Sequence, residues 1–250
     1  MPVRAIRHPL LAFVAISIAL CSVRSSAGPA AKPSLSELIN QLADRDPAAR
    51  DAAEQRLMEL SAADLPTLEQ TVKGVAPLRP GQGELLREII TQVFLSGESF
   101  KSNPAQGFIG VKMKVDFDSV HSEDDSNPEL PLGVTVESRL PGFSAYALLR
   151  DGDVILTIAA AGLPDGADAD HRVRTSMEVA SIIRSLPAGR TIDITLLRAG
   201  RHAQVSIVLV PHPVDVDDLS KLERFREDRA QRAEAFWAEH FARFIDAVVS

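Results

Sequence analysis

The sequence predicts an α+β protein, and three observations carry that expectation. The hydrophobic period is helical over residues 34–94, breaks into short β-branched runs from Gly107, and becomes a helical stripe again after Pro213. Composition agrees: 45% hydrophobic and 24% charged residues over 250 positions, with one Cys, exclude a disordered chain, a collagen repeat or a disulfide scaffold. That length is enough for one large or two small domains, each able to bury a core. Aromatics make up 5%, so the core must rest mainly on Ala, Leu, Val and Ile. A net charge of −7 argues against a binder of phosphate backbones, and no nucleic-acid partner is expected.

Residues 1–27 are set aside first. Arg4, Arg7 and His8 precede the apolar run LLAFVAISIALC (10–21), and Ser25 and Ala27 are small residues at the positions a signal peptidase reads. This is the layout of a secretory signal peptide cut near Ala27, so a periplasmic or secreted protein is expected. Cys21 offers an alternative as a lipoprotein acylation site, although Leu20 stands where a small residue is wanted. A retained N-terminal anchor is the other alternative. Spanning a bilayer takes roughly 17–25 residues, so membrane insertion of the mature form is not expected. Cleavage would remove three Arg and the sole Cys, leaving 24 basic against 34 acidic residues, a charge of −10 and no thiol.

Residues 28–103 form the first expected region, a set of helices. Leu35, Leu38, Ile39 and Leu42 lie on one face of a first helix. Asp46-Pro47 can cap and open a second, which carries Ala48, Ala52, Ala53, Leu57 and Leu60. Leu65-Pro66 opens a third and Glu84 to Phe94 supplies a fourth. The run LADRDPAARDAAEQRLMELSAADLPTLEQTV resembles a HEAT-type helical repeat over about forty residues. Such units are stable against neighbours, so this region should lean on another part of the chain.

Residues 104–213 carry the strands: GFIGVKMKV, LGVTVES, DVILTI, TIDITLLR and QVSIVLV, with one amphipathic helix from Ser176 to Leu186. Arg198-Ala199-Gly200-Arg201 makes a tight turn between the last two, with Gly200 supplying the positive φ. The order of features resembles a PDZ domain of the HtrA-type, circularly permuted bacterial class. Phe108-Ile109-Gly110-Val111 looks like its carboxylate-binding loop and first groove strand. GVTVESRLPGFSAYALLRDGDVI (133–155) looks like its strand, Pro-Gly turn, short helix and Gly-Asp segment. SMEVASIIRSLPAGRTIDITLLRAGR (176–201) looks like its groove helix and final hairpin. The chain departs from that pattern at Ala159-Ala160-Ala161 and in two acidic insertions, one after each of the first and third strands.

The resemblance implies a partly open β-barrel with a groove helix, and strand addition of a peptide or protein C-terminus at the groove. The Ile109, Gly110 and Val111 amides would hold a terminal carboxylate, and Phe108, Val111, Met177, Val179 and Ile182 would line a hydrophobic pocket. Core packing is an equal reading of Val111 and of the helix residues, because a helix face beside a sheet is normally buried.

No catalytic constellation is found. The histidines form no His-Glu-x-x-His, and no Gly-x-Ser-x-Gly occurs. An enzyme is not expected, nor is a cofactor. The acidic clusters at Asp116–Asp125 and Asp165–Asp170 lack EF-hand spacing and read as solvated loops, so no metal site is expected.

Residues 214–250 read as one long amphipathic helix with Leu222, Phe225, Ala233, Phe236, Trp237, Phe241 and Phe244 on one stripe. Arg and Glu alternate on the other face, supporting it by i,i+4 pairing. An aromatic stripe must be covered, and the helical first region is the expected cover. Taken together, the sequence suggests an exported, non-enzymatic peptide-binding scaffold. An accessory subunit of a separate envelope protease, and a structural domain with an occluded groove, are the alternatives.

Overall fold

The computed structural model describes residues 33–79, 81–114, 133–161 and 171–245. The expected signal peptide and the acidic clusters at 116–125 and 165–170 lie outside those described residues.

Among the described residues four α-helices come first: α1 (Leu35–Gln41), α2 (Pro47–Met58), α3 (Leu65–Val75) and α4 (Gln82–Ser96). Their starts follow from local chemistry. Ser34 and Glu37 form a reciprocal capping box on α1. Asp46 caps Ala48 on α2, with Pro47 at the first helical position, where its missing N–H is harmless. Burial follows the expected face of α1; on α2 the expected Ala53 and Leu57 are buried together with Met58 while Ala48 and Ala52 are exposed, and α3 buries Leu65, Leu68 and Val72. These side chains, with Leu86, Ile89, Ile90 and Val93 of α4, make one hydrophobic cluster.

The strands follow. β1 (Ser102–Phe108) pairs with β8 (Val210–Pro213) in a separate two-stranded ribbon that period alone did not reveal. The main sheet runs β2 (Val111–Lys114), β3 (Val134–Arg139), β4 (Val154–Ala159), β6 (Thr191–Arg198), β7 (Arg201–Val208), in that spatial order. Every pairing in it is antiparallel. The short β5 (His171–Arg172) pairs with β4. The sheet stays open and does not close into a barrel; β2 and β7 are its two ends. At the β6–β7 turn both Ala199 and Gly200 have positive φ, so the turn demands left-handed backbone at two positions where one glycine was expected to suffice.

Helices α5 (Ser144–Leu148) and α6 (Ser176–Ser185) contribute to the sheet's core. Thr175 and Glu178 box the start of α6. Val179, Ile183 and the following Leu186 join Val136, Ile155, Ile158, Ile192, Ile194 and Ile207 in a second hydrophobic cluster. The described residues end in α7 (Leu219–His240) and α8 (Ala242–Ile245), so the one long helix expected is interrupted at Phe241. Trp237 and Phe241 are buried within the helical cluster and Phe236 and Phe244 pack against it, whereas Phe225 meets Phe100 and Phe143 instead.

A polar and aromatic seam joins the clusters at Phe143. Its ring meets Phe100, Phe108 and Phe225, and the Arg229 guanidinium lies 4.6 Å from its centre. Arg229 is itself buried, and its Nη2 donates to the Leu95 carbonyl at 3.1 Å while its Nε faces Glu98 at 3.1 Å. Burial pulls Arg229 below the ordinary arginine range, while Glu98 works in the opposite direction.

Candidate binding groove

One side of the groove is the strand edge at β2, which among the described residues has a single strand neighbour, β3. An edge strand presents backbone donors and acceptors that an added strand can meet. The chain reaches β2 through Gly107, Phe108, Ile109 and Gly110, and the last of these has φ +80°. A Cβ built on Gly110 would lie 2.4 Å from the Phe143 Cβ, so both backbone and space require glycine there. Gly107 is required by close approach alone: a Cβ there would meet the Ile183 carbonyl oxygen at 2.8 Å.

The loop's carbonyls are turned inward. Ile109 O accepts from the Ala145 amide at 3.2 Å, and Gly110 O accepts from the Leu140 amide at 2.7 Å. In a trans peptide the N–H points opposite to the C=O. The amides of Gly110 and Val111 are therefore directed away from α5 and from the end of β3.

Between β2 and α6 lies a cavity of about 370 Å³. Phe108, Ile109, Gly110, Val111 and Met113 line one side, and Ala180, Ile183 and Arg184 of α6 line another. A third side comes from beyond the sheet: His212, Val216, Leu222, Glu223 and Arg226. Of the seven residues singled out from the sequence, Phe108, Ile109, Gly110 and Val111 stand together on this cavity. Ile109 is also buried in the sheet's core, and Val111 packs against that core.

The three helix positions fall elsewhere. Met177 is 79% exposed, Val179 is buried in the core, and Ile182 is half-buried against it. None of the three lines the cavity. Helical geometry explains the difference: the α6 stripe 179–183–186 faces the sheet, leaving the neighbouring stripe of Ala180 and Arg184 for the slot. Ile183 borders both the core and the slot, and Ala180 is small and Arg184 charged, so apolar spacing does not separate the slot-facing stripe from the core-facing one.

The polar groups around the cavity are mostly engaged. Lys112 Nζ donates to Glu137 at 2.9 Å, and Arg184 Nη2 donates to Asp217 at 2.6 Å. His212 is buried with its ring edge-on to Phe108 at 5.2 Å between centroids. Its Nε2 has no hydrogen-bond partner among the described residues and lies 3.6 Å from Asp217. Burial holds the His212 imidazole below its ordinary pKa, opposed by Asp217 and helped by Arg184. Among the described residues no group of three or more His, Cys, Asp or Glu could hold a metal ion. No helix among them is long and apolar enough to cross a membrane.

Comparison with solved structures finds partial likenesses. Over 43% of its length the chain is similar to the HtrA-type protease AlgW with decapeptide, at 20% identity and a TM-score of 0.34, covering 30% of that chain. The AlgW structure with tripeptide gives 22% identity and a TM-score of 0.33 over 32% of that chain. Over 44% of its length the chain is similar to the PDZ domain of the carboxy-terminal protease from Vibrio cholerae in complex with peptide, at 16% identity and a TM-score of 0.31, covering 98% of that domain. The likeness thus spans about a third of the AlgW chain. No family model and no curated protein matches this chain. The HEAT-type resemblance of the first helices finds no support in these comparisons.

Proposed function

We propose that this protein binds extended peptide segments, protein C-termini foremost, by strand addition at β2 in the manner of a PDZ domain. The observation that carries the reading is the cavity between the β2 edge and α6, with the Phe108–Val111 loop at its side. Main-chain pairing along such an edge supplies affinity, and the slot beside it selects side chains. Export through a leader at residues 1–27 belongs to the same proposal, supported by its charge and apolar pattern.

Ala180 gives the sharpest test, because it lines the slot without lying among the fully buried core residues. In titration calorimetry with a ten-residue peptide ending in hydrophobic residues, the wild-type protein should bind. Ala180→Glu should lose that binding while keeping its melting temperature. Unaltered binding by a folded Ala180→Glu protein would sink the groove reading.

A further inference from the structure

We propose that α7 is a working wall of the groove and that Arg226 on it pairs with the free carboxylate of a C-terminal ligand. The inference rests on the peptide-binding reading and names the ligand chemistry that reading leaves open. α7 lies outside the strand-and-helix slot itself, yet it brings Leu222, Glu223 and Arg226 to the cavity. Leu222 and Val216 add apolar surface opposite α6.

Among the described residues three cations line the cavity, and they differ in what holds them. Lys112 and Arg184 make short pairs with Glu137 and Asp217, at 2.9 and 2.6 Å. Arg226 Nη1 stands 3.6 Å from Glu223, beyond hydrogen-bond distance, and makes no hydrogen bond among the described residues. Glu223 is the more solvated of that pair, at 67% side-chain exposure against 42% for Arg226. Among the described residues Arg226 is therefore the least committed cation at the groove.

Its position matches the charge it would meet. Arg226 and Leu140 line the same cavity, and the Leu140 amide is bonded to the Gly110 carbonyl. The guanidinium thus shares the cavity with the loop whose Gly110 and Val111 amides are turned away from α5 and β3. Amide dipoles and a guanidinium fork together form a setting for a carboxylate, which Arg can hold by two parallel hydrogen bonds. An amidated terminus offers no such charge.

The test pairs two peptides with three proteins. One ten-residue peptide with a hydrophobic end is made with a free carboxylate and again as the amide. Each is titrated into full-length wild type, Arg226→Gln and Arg226→Lys. Wild type should prefer the free carboxylate by about tenfold, the scale of one charge-assisted hydrogen bond. Arg226→Gln should bind the two peptides with equal affinity, its preference lost, and Arg226→Lys should recover part of that preference. The preference should shrink as salt rises, since the pair is partly exposed. If Arg226→Gln keeps the full preference, the pairing is wrong while the groove stands. If wild type binds neither peptide, the groove reading fails and the pairing falls with it.

Discussion

Glu54 shows how much a single environment shifts a side chain. It is half-buried, and among the described residues no hydrogen bond or ion pair reaches its carboxyl. Burial raises its pKa first, and the nearby Glu88 and Asp51 raise it further; Arg150 and Arg139 oppose them. Because the folded-state value lies above the unfolded one, the native state binds the extra proton between the two. Stability therefore declines as pH rises through that interval, and the ionised Glu54 is a standing cost above it. Glu54→Gln should raise the melting temperature at pH 7, with the gain fading as the pH falls below the ordinary Glu range. A melting temperature unchanged at pH 7 would contradict the strained environment. The neighbouring Tyr146 donates to Glu88 at 2.8 Å and is likewise pushed up, mainly by burial. Gly110 makes the same point in backbone terms: its φ and its approach to Phe143 both need the missing Cβ, and the motif Phe-Ile-Gly-Val had already marked it.

At the scale of elements, α7 is the one that long-range packing defines. The spacing of Phe225, Phe236, Trp237 and Phe241 announces a helix, and its charge pattern announces a wet face. Neither says where the helix docks. In the structure Phe236 stacks on Phe94 of α4 at 4.4 Å between centroids, and Phe241 is wholly buried. Glu69 of α3 faces both His240 and Arg243 at 3.1 and 3.0 Å, fixing the helix end. Phe241→Ala should destabilise the protein by about 3–5 kcal/mol, the range for truncating a large buried aromatic. Chemical denaturation measures this directly, and a loss within a few tenths of a kcal/mol would mean that the end of α7 is not packed as described. α6 is legible in the opposite way: its period places the helix, but not which of its two adjoining stripes faces the slot.

At the scale of the whole molecule, the two hydrophobic clusters meet at a seam around Phe143 and again where Tyr146 of α5 packs on the helical cluster. Phe143 belongs to the turn before α5, Arg229 to α7, and Gln92, which donates to the Phe143 carbonyl at 3.2 Å, to α4. Coupling through these buried contacts should make the clusters unfold together. Trp237 is the sole tryptophan and sits in the helical cluster, so its fluorescence reports that cluster alone. Its thermal transition should coincide with that of far-UV circular dichroism, which also follows the sheet. Two separated transitions would show that the seam does not couple them.

The sequence by itself determined the α+β class, the positions of the helices and main strands, and the glycine at the loop. These depend on local period, capping and turn chemistry, which operate over a few residues. Tertiary structure decided the rest. It paired β1 with β8 across about a hundred positions, left the sheet open, and turned Val179 into the core while Ala180 faced the slot. It also brought Arg226 to a cavity that begins at Gly107. Those outcomes depend on which surfaces exclude water against each other, and such contacts link residues that no local pattern connects.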